Sequence, residues 1–431
     1  MPTGPIVRIN PYELHVRDPE FYDVLYSGPG SIRDKWYWSV DMFGNSSSMF
    51  GTVPHGLHRL RRSALLPFFS KQAVTRLEPL IRGLIEKLCT RFEECRKTGD
   101  PVETGQAYAA LTTDIITTYS FNTSYGCIDD PGWKYEWPKA MNDGSRTCHL
   151  NKQFKFVFPM MQAIPEWIVE KIDPQVMNLI KFQKDLARQI GELMNDKSAQ
   201  SKSTQQTLFH ELINGDLPPE EKTLERLADE GQTVIAAGQQ TTAHFLKTVS
   251  YHILANEGVY SRLKAELKEA IPNPASIPPL AQLERLPYLH AVVLEGHRVS
   301  YGVVSRLQRI SPDKPLRYKD WVIPAGTPVS MTSVMQHEDP NKFPNPKKFD
   351  PNRWLDAPER LEKYLVNFSK GTRQCLGINL ANAEIYLTLA TVFRRFNVEL
   401  YETAARDAEV AHDFFVPHPH ADSKGVRIVF K

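Results

Sequence analysis

The stretch FSKGTRQCLG, residues 368–377, places a single cysteine, Cys375, two residues after Arg373 and directly before a helical pattern. A thiol at a helix N-terminus meets unpaired N–H groups and the positive end of the helix dipole, and both lower its pKa. The arrangement predicts a thiolate suited to binding a metal. Gly371 permits a tight turn, and Gly377 lets another surface approach the backbone. Arg373 presents a rigid fork of donors to a carboxylate. Downstream, Leu380, Ala383, Leu387 and Ala390 share one face of a helix that the periodicity carries to about Phe396. A cysteine that merely packs before a helix is the bland alternative.

These residues resemble the haem-binding loop of the cytochrome P-450 haem-thiolate monooxygenases. That family's pattern, Phe-x-x-Gly-x-Arg-x-Cys-x-Gly, is filled here by Phe368, Gly371, Arg373, Cys375 and Gly377. The resemblance implies that Cys375 is the proximal ligand to the iron of haem b, that Phe368 shields the sulfur and that Arg373 pairs with a haem propionate. It also implies a mainly α fold with small β-sheets, forming one domain over residues 1–431 and starting near its first strand.

A second pattern supports the first. From Lys222 to Leu254 the chain is free of proline and reads as one long helix, which would cross a whole domain at about 1.5 Å per residue. It contains Ala237, Gly238, Gln239, Gln240, Thr241 and Thr242, similar to the family's distal-helix motif. By that resemblance Gly238 makes room for dioxygen and Thr241 is a hydroxyl relay, able to donate and accept at once. The bland reading is a glycine for helix packing beside a threonine bonded to its own backbone. Gln240 stands where the family carries an acid; an amide forms hydrogen bonds but carries no proton as a carboxylic acid does. This departure supports an alternative outcome of the chemistry: isomerisation, dehydration or C–C coupling.

Glu295 and Arg298 lie three apart on a helix, where opposite charges meet. With Arg353 from the Phe349–Trp354 segment they resemble a structural triad of the family. His58 and Arg62, four apart at the head of a helix, and Arg309 match family positions that reach the haem propionates. A dianionic edge in an apolar pocket calls for two or three cations.

Bulk properties agree with an ordinary globular protein. The 431 residues carry a net charge of +2, which gives no argument for nucleic acid. The five cysteines include no C-x-x-C pair, so neither a disulfide framework nor a zinc site is indicated. His412, His418 and His420 lie among prolines and read as loop residues. No run approaches the roughly 20 apolar residues of a membrane span. The family's fungal secondary-metabolism members, which this sequence resembles, usually carry an N-terminal anchor, and by that resemblance this chain is expected to be either a truncated form of such a protein or a soluble variant. Placement on the cytosolic face of the endoplasmic reticulum membrane is therefore a family expectation.

Without a phosphate-binding glycine motif, electrons from NADPH must arrive through a separate protein. The resemblance implies NADPH-cytochrome P-450 reductase, with cytochrome b5 as an accessory donor. Lys370 and the basic run Arg59–Arg62 are the expected docking charges. The implied activity is insertion of one oxygen atom into a lipophilic metabolite: a terpenoid, polyketide or alkaloid. Its pocket is expected near residues 42–50, 235–239, 301–305 and 414–416. A third reading is a haem-binding protein without turnover.

Overall fold

The computed structural model describes residues 4–134, 136–172, 174–195, 207–355 and 361–431. The polar tract 196–206, expected to link two helices, lies outside them. Eight helices frame the interior: α1 (His55–Leu65), α2 (Lys71–Thr98), α3 (Thr104–Phe121), α4 (Glu136–Arg146), α5 (Pro174–Asn195), α6 (Leu224–Leu254), α7 (Pro287–Ser300) and α8 (Ile378–Arg395). The expected proline-free helix is α6, opened by Thr223, whose hydroxyl accepts from the Arg226 N–H at 3.3 Å.

Prolines between residues 130 and 180 were expected to interrupt helices; they start them instead. Pro138 and Pro159 each occupy the third position of a helix, and Pro174 the first position of α5. No intrahelical N–H bond is lost at such places.

Helices α2, α3, α6 and α8 bury one large apolar core that includes Phe92, Tyr108, Ile115, Leu246 and Leu387. α3 is buried on nearly every side and lies along α6. Tyr108 and Ser250 share a hydrogen bond across the pair at 3.1 Å, and Thr112 donates to the Gln239 carbonyl at 3.1 Å. α7 approaches α6 at Gly296, where an added Cβ would stand 2.5 Å from Val249 Cγ2. Only glycine permits that approach.

Strands are few and short. β1 (Ile6–Arg8), β2 (Leu14–Val16), β3 (Asp34–Lys35), β4 (Arg309–Ile310) and β5 (Pro328–Ser330) form a sheet in the order β1-β2-β5-β4-β3. The β2–β5 pair is parallel and the others antiparallel. A smaller core holds this sheet to the N-terminal turns through Val16, Tyr26, Val329 and Val366. The hairpin β6 (His412–Phe414) and β7 (Val416–His418) was not anticipated from sequence. Helices around one main core, with small sheets at the edge, are the mainly α architecture the sequence predicts.

Candidate functional site

The Cys375 loop is shaped by its glycine and its ends. Gly371 has φ +76°, and any Cβ there would collide with the carbonyls of Tyr26 and Ser27. The Cys375 N–H donates to the Phe368 carbonyl at 2.9 Å, closing the loop. Cys375 is exposed only in the sense that its surface faces an internal cavity of about 400 Å³. Deep enclosure pushes its thiol up from the ordinary value, while the Gly377 N–H and the Arg62 guanidinium pull it down. Desolvation thus outweighs the helix-end effect expected from sequence. At Gly377 no protein surface approaches; a Cβ would meet open space, and the residue lines the cavity.

Four cations and one imidazole line the cavity that the sulfur faces: Lys35, Arg62, Arg309, Arg373 and His58. Lys35 and Arg309 are direct cross-strand partners on β3 and β4, both buried. Like charges in that register repel. Burial lowers the pKa of Lys35, and the charges of Arg309 and Arg373 lower it further. Arg373 is pushed down to about 9 by burial and by Arg309. His58 falls to about 2, through burial and then Arg373, Arg62 and Arg309, so its ring stays neutral. Arg309, stacked 5.2 Å over the Tyr26 ring, makes one hydrogen bond among the described residues, to the Gln308 carbonyl. Such a cluster, which forms no ion pair with a carboxylate among the described residues, fits a buried anion of more than one charge.

The individual donors divide the work differently from the sequence expectation. Arg373 points its fork at backbone, to the carbonyls of Arg33 at 3.1 Å, Thr52 at 2.7 Å and Val53 at 2.6 Å. Arg62 donates to the Gln374 carbonyl at 2.7 Å. Arg62 and Arg309 each make one side-chain hydrogen bond among the described residues, whereas Arg373 makes three and mainly ties the cysteine loop to Arg33, just before β3, and to Thr52 and Val53.

On the opposite wall α6 presents Ala236, Ala237, Gly238, Gln240, Thr241 and Thr242. The missing Cβ of Gly238 faces α3, where it would stand 2.8 Å from Ile116 Cγ1. Gly238 thus lines the cavity and also admits close packing on α3, and Ala237 is the residue of this turn that lies most open. The Thr241 hydroxyl donates to the Ala237 carbonyl at 2.9 Å, the local back-bond of a helical threonine. Its oxygen lone pairs remain able to accept. Gln240 Nε2 donates to Ser145 Oγ on α4 at 3.3 Å.

The expected triad assembles. Glu295 and Arg298 are both fully buried and paired twofold, Nε to Oε2 at 2.9 Å and Nη2 to Oε1 at 2.7 Å. Arg353 Nε reaches the same carboxylate at 3.1 Å. Trp354 Nε1 and the Asp350 N–H add donors at 2.9 and 2.8 Å.

The docking charges expected from sequence do not form a free basic patch. Arg61 is paired with Glu221 at 2.6 Å, Arg62 turns inward, and Lys370 pairs with Asp23 at 2.7 Å. The stretches 42–50 and 414–416, expected to line the pocket, bring together an aromatic trio, Phe43, Phe50 and Phe415, with ring centroids 5.2 to 6.2 Å apart. Phe415 sits at the β6–β7 bend with φ +74°, a conformation its residue type does not announce.

The "Cytochrome P450" family model matches residues 26–422. The chain belongs to the cytochrome P-450 family. A cytochrome P450 monooxygenase of Ascocoryne sarcoides is 44% identical, over 99% of this chain and 86% of its own length. The tryptophan 6-hydroxylase of Fusarium equiseti is 43% identical, over 99% and 84%. A cytochrome P450 monooxygenase of Penicillium crustosum is 39% identical, over 99% and 98%. The crystal structure of the cytochrome P450DA heme domain matches 99% of this chain and 89% of its own, with a TM-score of 0.77 at 17% identity. That likeness shows the cytochrome P-450 fold, and the family implies a haem-iron cofactor. No helix among the described residues is long and apolar enough to cross a membrane.

Proposed function

We propose that this cytochrome P-450 is a haem-thiolate monooxygenase, inserting one atom of dioxygen into a lipophilic secondary metabolite with electrons passed from NADPH by a separate reductase. One observation carries the reading: a cysteine sulfur opens on a cavity whose wall bears buried cations that form no ion pair with a carboxylate among the described residues. Cys375 would hold the iron, and Arg309, Arg62 and Lys35 would meet the anionic edge. His58, neutral, adds a polar contact without further repulsion. When bound, haem supplies dioxygen activation and the oxidising power.

The chain's own residues do the remaining work. Phe43, Phe50 and Phe415 offer ring faces and edges to a carbon skeleton, and Val303 and Val416 extend the apolar wall. Enclosure by α6, α8 and the 43–50 segment excludes bulk water. The Thr241 hydroxyl holds a proton on Oγ1 and accepts another donor at the same oxygen. Gln240, oriented by Ser145, donates without supplying an ionisable proton. Relatives named as hydroxylases of tryptophan and of N-acetyltryptophan (the latter from Emericella nidulans, 43% identical) support a ring-bearing substrate.

The test is reconstitution of the haem-loaded protein with a fungal reductase, NADPH and oxygen-18 gas over a panel of lipophilic metabolites. Product carrying one labelled atom is expected. Turnover to product without label favours the second reading, an isomerase, dehydratase or coupling catalyst, which Gln240 supports. Haem binding with no reductase-dependent oxygen uptake on any substrate returns the protein to a binding role.

A further inference from the structure

Outside the residues already assigned, His297 occupies an unusual place. It lies between Glu295 and Arg298 on α7 and is buried. It lines the main cavity and also a second, proximal one of about 330 Å³ bounded by His290, Asn367, Phe368, Asn382 and Tyr386. The imidazole thus belongs to the wall shared by the two spaces, together with Asn367, Phe368, Ser369 and Gln374. One face of the ring meets Phe245 of α6 at 4.7 Å, and Phe368 meets it at 5.0 Å with its plane inclined by 62°.

Both ring nitrogens are engaged. Nε2 lies 3.2 Å from Asn382 Oδ1, and Nδ1 lies 2.9 Å from Asn367 Nδ2. An amide oxygen only accepts and an amide NH2 only donates. The pattern therefore assigns the proton to Nε2 and the lone pair to Nδ1. Burial lowers the ring's pKa to about 4, so this neutral tautomer persists near neutrality.

What the two partners hold is the decisive point. Asn367 directly precedes Phe368, where the cysteine loop begins; Asn382 is on α8, the helix that leaves it. We infer that His297 is a positioning residue that clamps the Cys375 loop at its entry and exit and fixes the Phe368 ring beside the sulfur. Close packing of α7 on α6 at Gly296 sets the ring's position, because a Cβ there would meet both Val249 and Phe245. The next tether upstream is of the same kind: His337 Nε2 accepts from the Val366 N–H at 2.8 Å, while its Nδ1 donates to the Arg298 carbonyl at 2.8 Å. Helix α7 thus reaches the loop through His297 directly and through His337 in relay.

The inference rests on Cys375 being the haem ligand, and its test reads the ligand without turnover. The measurement is the lifetime of the sulfur-ligated Soret band of the reduced, carbon monoxide-bound holoprotein. His297→Phe keeps an aromatic ring between Phe245 and Phe368 but removes both hydrogen bonds, and a lifetime shortened by about tenfold or more is expected. His297→Gln differs more in shape but retains a donor and an acceptor, and should stay within about threefold of wild type. A phenylalanine variant as long-lived as wild type, or longer-lived than the glutamine one, overturns the clamp. Should neither variant take up haem, Asn382→Leu removes one bond from the outer end; a shortened lifetime supports the clamp and an unchanged one overturns it. A wild-type protein without the sulfur-ligated band would instead defeat the haem-thiolate reading itself.

Discussion

Glu295 shows how one buried carboxylate organises a long stretch of chain. Its two oxygens accept from Arg298, Arg353, Trp354 and the Asp350 N–H, so its lone pairs are filled. Arg298 in turn donates to the carbonyls of Pro346 and Lys348 at 2.6 and 2.9 Å. Such a network adds little compared with an apolar core but is costly to break, because removing one charge strands the others. Glu295→Gln leaves Arg298 and Arg353 without their anion, and a loss of about 3–5 kcal/mol is expected in urea denaturation. A loss below about 1 kcal/mol, the scale of an exposed ion pair, would show that the triad is solvated. The pair was legible in the sequence through the family resemblance, because a three-residue spacing alone usually marks a solvated face. Trp354 and Asp350 were not, because nothing in a single sequence says which donors fold back to a distant helix.

At the scale of elements, periodicity and the absence of proline revealed α6 and α8 to within a few residues. What they left hidden was which neighbour each helix face meets. The Gly238 position is the clearest case: it lines the cavity, as motif reading expects, yet its missing Cβ faces Ile116 on α3. Gly238→Ala places a methyl group 2.8 Å from Ile116 Cγ1, and overpacking of this kind costs about 1–3 kcal/mol. Ile116→Ala made in the Gly238→Ala background should recover part of that loss, so the two substitutions are non-additive in thermal or urea unfolding. Additive losses would mean that the alanine methyl points into the cavity after all. The stretches that carry Phe43, Phe50 and Phe415 were legible through the family resemblance, but their meeting as a trio was not, because in a loop and a hairpin bend no repeat marks which side chains face inward.

Over the whole molecule, two sets of charges bind loops to helices and both carry a measurable strain. The 43–49 segment is pinned to α6 by Asp229, which accepts from the Ser47 N–H at 2.9 Å, and by Glu230, which accepts from the Met49 N–H at 3.0 Å. Burial raises Asp229 from 3.8 to about 6, Glu225 adds repulsion, and Arg226 and Arg61 oppose it. Below about pH 4 the folded and unfolded chains both hold that proton, and above about pH 6 neither does. Between these values the unfolded chain releases it first, so wild type should lose stability relative to Asp229→Asn as pH rises from about 4 to 6. The gap should then hold constant to pH 7; urea midpoints showing no change or the opposite slope would contradict the assignment. The cations beside Cys375 give the complementary case. Arg309 is buried opposite Lys35 and near Arg373, with one hydrogen bond, to the Gln308 carbonyl, among the described residues. Without an anion that charge destabilises the fold, and with a dianionic cofactor it becomes attractive. Arg309→Met should therefore raise the urea midpoint of the haem-free chain and speed haem transfer from the loaded protein to an excess of apomyoglobin. The opposed signs are what separate a cofactor-binding charge from a structural one: a structural arginine would lower the midpoint on substitution, and a bystander would leave haem transfer unchanged.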